Sequence, residues 1–219
     1  IKKCDISSVK GSVIVKDFSK EKFKMNLKSN KVNVIKILPG GVVTAKDTAE
    51  IELDANGEFV RNPEVDLVKV AVVERHQGTG NVACGFLKGY GIKEGAVALS
   101  VAHDSHNIIV VGVNDEEMEF AVNSLIEQEG GIVLVKEGKV IESMPMPIAG
   151  LMSDQSGEWV DQKLTDIHEN AYEELGICGD VEPVMTLCFI SLAVIPEIKM
   201  TDMGLFDVTT FSFIPVEVE

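Results

Sequence analysis

Two stretches of this chain carry an apolar repeat of helical period. Nearly all other ordered sequence is strand-like, which restricts the fold to a sheet with few helices. Met118, Ala121, Val122, Leu125 and Ile126 recur at i, i+3, i+4, i+7 and i+8, one face of a helix. Asn114 precedes them as a cap, and Asp115, Glu116 and Glu117 set negative charge against the positive end of the helix dipole. Gly130-Gly131 stops the run. Val160, Leu164, Ile167, Ala171 and Leu175 form the second stripe, capped by Ser156, anchored by Trp159 and stopped by Gly176. The expected helices are 115–129 and 157–175.

The remaining apolar runs are short and bounded by turn residues. "KVNVIKIL" ends at Pro39-Gly40-Gly41, and "TAEIELDANGEFV" reads as a hairpin turning at Asn56-Gly57. "DLVKVAVVERH", "GAVALSVA" and "NIIVVGV" are strands, and "GIVLVKEGKVIESMPM" is a strand pair turning at Glu137-Gly138. "MTLCFISLAVI" reads as a buried strand because it is continuously apolar, and "LFDVTTFSFIPVEV" alternates. The expected class is α+β: about nine or ten strands in a mixed, largely antiparallel sheet with two main helices. Residues 1–30 are lysine-rich, with one short strand expected at Ser12 to Val15. They read as a linker or edge segment from a preceding, absent region, and 31–219 as one domain. The first residue is Ile1 rather than Met, so the chain is expected to be part of a longer protein.

A formal net charge of −15 with no basic stripe disfavours nucleic acid as a partner. No apolar run reaches the roughly 18 residues that span a membrane. The four cysteines, at 4, 84, 178 and 188, form no C-x-x-C pair and sit in apolar contexts. They are expected to be buried thiols in a reducing cytoplasm.

Polar residues concentrate where three apolar runs stop. Glu74-Arg75-His76 ends one strand, His103-Asp104-Ser105-His106-Asn107 interrupts two others, and Asp154 follows "PMPIAGLMS". His103 and His106, with Asp104 as orienter, are candidates for proton transfer in support of catalysis. Glu74, Arg75, His76, Ser105, Asn107 and Asp154 are candidates for substrate contact. The bland alternatives are a polar hairpin tip with Asx turns, an exposed strand end and a helix cap. Two imidazoles and a carboxylate are suitable metal ligands. The H-x-x-H spacing suits a helix, however, whereas these flanks are strands, so no metal ligand is assigned. "GTGNVA", residues 78–83, has the form of a dinucleotide-binding turn, but the following "CGFLKGYG" carries no helical stripe, so a tight glycine turn is expected.

Four blocks carry more than their residues do singly. "KILPGGVVT", "KVAVVERHQGTGNVACGFLKGYGIKEGAVALSVAHDSHNIIVVGVND", "MPIAGLMSD" and "MTLCFISLAVIPEIKMTDMGLFDV" resemble, in order, the C-terminal region of bacterial and archaeal adenine deaminases. The resemblance runs from about Lys31 to about Pro215. It implies a parent amidohydrolase of purine salvage and adenine catabolism. Such a parent holds manganese or iron in an N-terminal barrel and hydrolyses adenine to hypoxanthine and ammonia. It also implies the barrel as partner, adenine as substrate and a homo-oligomer. The barrel and its metal ligands have no counterpart here, so this chain alone is expected to bind no cofactor and to be inactive. Two other readings stay open: a non-catalytic structural or oligomerisation module, and an independent purine-binding protein with its own closed pocket.

Overall fold

The computed structural model describes residues 5–218; Cys4 and the chain's first residue lie outside the described residues. The largest element is an eight-stranded sheet. Its strands are β1 (Lys31–Ile37), β2 (Thr44–Glu50), β5 (Leu67–Val73), β6 (Val82–Lys88), β7 (Ala96–Leu99), β8 (Ile108–Gly112), β9 (Gly131–Lys136) and β10 (Lys139–Pro145). They run in the order β10-β9-β7-β8-β5-β6-β1-β2. Every neighbouring pair is antiparallel except β1 with β6, which is parallel. A small hairpin of β3 (Glu52–Leu53) and β4 (Phe59–Val60) turns through Gly57. A three-stranded sheet of β11 (Ile198–Thr201), β12 (Gly204–Asp207) and β13 (Ser212–Ile214) ends the chain. With helices α1 (Asp115–Glu127), α2 (Gly157–Glu173) and α3 (Pro183–Ile190), the class is α+β, as the pattern predicts.

The central strands are buried on both faces. Val70, Val72, Val97, Leu99, Ile109, Val111, Ile132 and Leu134 point to one side, where they meet α2, α3 and the small sheet. Their neighbours Ala71, Val73, Ala96, Ala98, Val110, Val133 and Val135 point to the other, against Met118, Ala121, Val122 and Leu125 of α1. The period of two in each strand places one set on each face, and burying each Val or Ile contributes about 1.5–3 kcal/mol. The small residues Ala71, Ala96 and Ala98 let α1 lie close. Both stripe-predicted helices form, each ending two residues early, and their caps are as expected. Asn114 accepts from the Glu117 amide at 2.8 Å and Ser156 from the Trp159 amide at 3.3 Å.

Two segments depart from the sequence expectation, and a third keeps its expected glycine turn but adds a strand. "MTLCFISLAVI" is not a strand: Pro183–Ile190 is helix α3, started by Pro183 in its first turn and capped by the Glu182 carboxylate on the Met185 amide. A short helix that is apolar all round has no stripe to betray it. Ser12 to Val15 is not a strand, since the Ile14 amide reaches the Arg75 carbonyl at 2.8 Å without a ladder around it. Its segment nevertheless packs on this domain, with Phe23 fully buried against the α1 layer. The glycine-rich "CGFLKGYG" supplies strand β6, so the turn before it opens no helix and lacks the anion site of a dinucleotide fold. Cys84, Cys178 and Cys188 are free, and burial pushes the thiols of Cys84 and Cys188 up to about 12, so both stay protonated and unreactive near neutrality.

Lys199 is fully buried in β11, and its ammonium donates to the Val42 carbonyl at 3.0 Å. Burial lowers its pKa from 10.5 to about 8. The unfolded chain therefore holds this proton more tightly than the folded one. The resulting destabilisation is full below pH 8 and fades as pH rises towards 10.5. Lys199→Met removes this linkage, on the order of 3 kcal/mol at its limit. Urea midpoints of wild type and Lys199→Met should show wild type gaining on the variant between pH 8 and 10. A constant difference across that range would refute the assignment.

Candidate functional site

Because neighbouring strands alternate in direction, β5, β7 and β10 end where β8 and β9 begin. Val73 pairs with Ile108, and Leu99 with both Ile109 and Ile132. Three connections therefore emerge at one end of the sheet: Glu74-Arg75-His76 after β5, residues 100–107 between β7 and β8, and residues 146–156 between β10 and α2. Two of the three predicted polar clusters meet here directly.

Glu74 is buried. Its carboxylate accepts the amides of Gln77 at 2.7 Å and Thr79 at 2.9 Å, the His76 amide, and the Thr79 hydroxyl. Burial alone would raise its pKa, but these donors together hold it down to about 2. Its role in this structure is to shape the turn. His76 is exposed and its Nε2 meets the Ser105 carbonyl at 2.7 Å, joining the first loop to the second. Asn107 is buried and its side-chain oxygen accepts the Arg75 amide at 3.3 Å.

Arg75 does not point to solvent. It is 1% exposed; its Nε donates to the His106 carbonyl and its Nη2 to the Ala149 carbonyl at 3.2 Å. Among the described residues it makes no ion pair, and Nη1 is buried with no partner. Gly150 lies flat against it: a Cβ there would stand 2.8 Å from Nη1, and the glycine φ is +71°. Ser100, buried at the end of β7, donates to the Gly150 carbonyl at 2.5 Å and accepts the Gly131 amide at 2.8 Å, which ties the third loop down.

The histidines of the second loop sit on this frame. Their ring centroids lie 5.7 Å apart, and the His103 ring is 4.9 Å from Phe189 of α3. The His103 amide donates to the Cys188 carbonyl at 2.8 Å, and Ser191 donates to the His103 carbonyl at 3.1 Å. His106 adopts a left-handed backbone, φ +52°, and its Nδ1 is buried without a partner among the described residues. Burial, then His103, then Arg75 lower its pKa below 6.5, so the ring is neutral at pH 7. Asp104 is 84% exposed in its side chain and stands 3.8 Å from His103 Nδ1, too far for a hydrogen bond. Ser105 is exposed and turns its hydroxyl inward to the Asn107 amide at 3.4 Å. Asp154 is exposed and accepts from Gln155 at 2.7 Å, so the third loop reaches the cluster through Ala149 and Gly150 rather than through it.

Ser100, Gly150 and Phe189 were not singled out by their sequence. Ser100 alone left a trace, as the one hydroxyl inside "GAVALSVA". Among the described residues no group of three or more His, Cys, Asp or Glu is arranged to hold a metal ion. The donor set at these loops therefore does not fit the metal that the resemblance implies. A cleft of about 560 Å³ lies elsewhere, between Lys20, Phe59, Arg61 and Asn114.

Residues 41–212 match the family described as adenine deaminase C-terminal domain. The chain belongs to that family. It is 66% identical over 217 residues to adenine deaminase 2 of Desulfotalea psychrophila, covering 99% of this chain and 38% of that protein. It is 48% identical to adenine deaminase of Ligilactobacillus salivarius, covering 98% and 37%, and 44% identical to adenine deaminase 2 of Carboxydothermus hydrogenoformans, covering 97% and 37%. The chain thus spans little more than a third of the length of the relatives it matches. Within this adenine deaminase C-terminal domain, the loop cluster is the one place among the described residues where an unpartnered imidazole nitrogen and a buried unpaired charge are brought together.

Gly150 and Gly138 share a left-handed backbone, φ +71° and +67°, but nothing lies within 4 Å of a Cβ at Gly138. Alanine at either position meets the same backbone penalty of about 1–2 kcal/mol. Gly150→Ala must in addition push the Arg75 guanidinium aside, a further 1–3 kcal/mol or so. Denaturant unfolding should rank Gly150→Ala clearly below Gly138→Ala, and equal losses would contradict the packing described.

Proposed function

We propose that this chain is the carboxy-terminal part of an adenine deaminase, and that its loop cluster faces the catalytic domain of the whole protein. The reaction is hydrolysis of adenine to hypoxanthine and ammonia: the C6–N bond is broken, a C6–O bond forms, one proton of water leaves with the amino group as ammonia, and the other ends on ring nitrogen N1 of the 6-oxo product. We place the manganese or iron of that reaction in the preceding amidohydrolase barrel, since the residues here do not fit a metal. The carrying observation is the loop cluster of His103, His106 and Phe189 on a rigid sheet end. The path of the chain supports the same reading. The Val9 carbonyl accepts the Ala149 amide at 3.1 Å and the Ile14 amide reaches the Arg75 carbonyl at 2.8 Å, so residues 5–30 enter the domain beside this face. Residues 1–30 then serve as the connection to the barrel. His106, neutral and with Nδ1 unspent, is suited to hold a proton or accept a hydrogen bond next to a purine.

A structural role for part of the cluster has its own support, because Glu74 and His76 spend their polar atoms on neighbouring backbone. Self-association of the whole protein is supported by the exposed Met203, Phe211 and Phe213 on the small sheet. Among the described residues no helix is long and apolar enough to cross a membrane, and three free thiols, with Cys188 buried and Cys84 and Cys178 half-buried, support a cytoplasmic setting.

In the whole enzyme, His103→Ala or His106→Ala should lower kcat/KM at least tenfold, about 1.4 kcal/mol, with fold and metal content unchanged. Unchanged kinetics in both would reduce the loop to a turn. The 219-residue chain alone, given adenine and manganese or iron, should form no hypoxanthine above a protein-free control. Product that scales with chain concentration would overturn the division of labour.

A further inference from the structure

Arg75 is a fully buried guanidinium with no ion-pair partner among the described residues. Burying an ion without a counter-charge is unfavourable by several kcal/mol. A leucine or methionine would fill the same volume without that penalty, so packing alone does not account for an arginine here. Its geometry shows what the charge and the fork accomplish. One edge of the fork reaches the His106 carbonyl and another the Ala149 carbonyl, while the residue's own carbonyl takes the Ile14 amide. Four segments of the chain converge on this one residue: the entering segment around Ile14, the end of β5, the histidine loop and the Ala149–Gly150 loop.

We propose that Arg75 is a positioning residue, whose guanidinium both sets the shape of the His103–Asn107 loop and supplies the local field in which His106 works. The proposal deepens the functional reading above and rests on it for its link to catalysis. The field has several contributors. Burial acts first on His106, His103, Arg75 and His76 add positive potential, and Asp104 opposes them from the exposed side. Behind His103, α3 contributes Cys188, a protonated thiol, and the uncharged Phe189. The third loop meets Arg75 through the Ala149 carbonyl and the Gly150 backbone. Arg75 is the one permanent charge in this set, so its contribution towards the neutral ring does not fade as the neighbouring histidines lose their protons.

The test uses two substitutions that separate charge from shape. Arg75→Lys keeps the charge and loses the two-pronged fork. Arg75→Gln keeps donors and loses the charge. The chain has four histidines, so ring resonances of histidine-labelled protein can be assigned with His106→Ala and titrated. The His106 midpoint should rise by about half a pH unit or more in Arg75→Gln and stay near wild type in Arg75→Lys. In the whole enzyme both variants should lose kcat/KM about tenfold, and only Arg75→Gln should move the acid limb of the profile upward. Where Arg75→Gln does not fold, Gly150→Ala displaces the guanidinium without removing it and should also move the His106 midpoint. A midpoint unmoved in every folded variant overturns the field, and wild-type kcat/KM in Arg75→Lys overturns the shaping role. Failure of the wider reading looks different: His106→Ala would leave kinetics intact while the ring still answered to Arg75→Gln.

Discussion

Burial of the central strands on both faces is the constraint from which the rest of the molecule follows. With α1 on one side and α2, α3 and the small sheet on the other, no side chain of β7 or β8 is left to meet a ligand, since every residue of both strands is buried. Chemistry in such a sheet is driven to the strand ends, where the chain must turn and its polar groups find partners in one another. Antiparallel order then gathers the ends of β5, β7 and β10 at one edge. The loop cluster is thus a product of topology before it is a product of any one residue. Its rigidity is inherited from the packed layer beneath, which cannot shift without opening two cores at once.

The parts of this fold that could be read from sequence are those in which only one face is buried. The two amphipathic helices announce themselves because their stripes have a polar side to contrast with. Helix α3 gives no such contrast: Leu187, Cys188 and Ile190 are buried while Val184 and Phe189 pack partly against the same core, so almost every position is apolar. Strand β2 fails in the opposite way, since "TAKDTAE" is an edge strand with alternate residues exposed and little apolar signal. In β6 the glycine at position 85 hides a strand, and it fits closely there, since the Leu205 and Met200 side chains lie 3.2 Å from where its Cβ would be.

The candidate site shows the same division. That Glu74, Arg75, His76 and the histidine loop are polar at strand ends is visible in the sequence, and the strand pairing that brings them together follows from alternation. The direction each side chain takes is not visible. Arg75 turns inward and His76 outward, and Ala149 and Gly150 matter through a carbonyl and an absent Cβ, neither of which a residue type can express. Asp154, the polar residue of that third loop, looks to solvent instead.

Three cations buried among the described residues of a chain of net charge −15 show how differently the same charge is accommodated. Lys69 is paired with both oxygens of Asp115 at 2.7 and 3.0 Å, at the start of α1, and also donates to the Phe23 carbonyl at 3.0 Å. That arrangement locks helix, sheet and entering segment together, and neutralises the lysine. Lys199 has a single carbonyl and sheds part of the strain by holding its proton less tightly. Arg75 can do neither: a guanidinium does not lose its proton in the physiological range, and no carboxylate among the described residues approaches it. Its charge must therefore be felt by whatever lies closest, and what lies closest is the histidine loop. A surplus of negative charge over the whole chain does not offset this, because exposed carboxylates are screened by water and salt within about 8–10 Å. The field at the loop is therefore set locally, by burial, by His103 and by Arg75, the last being the one permanent charge among them.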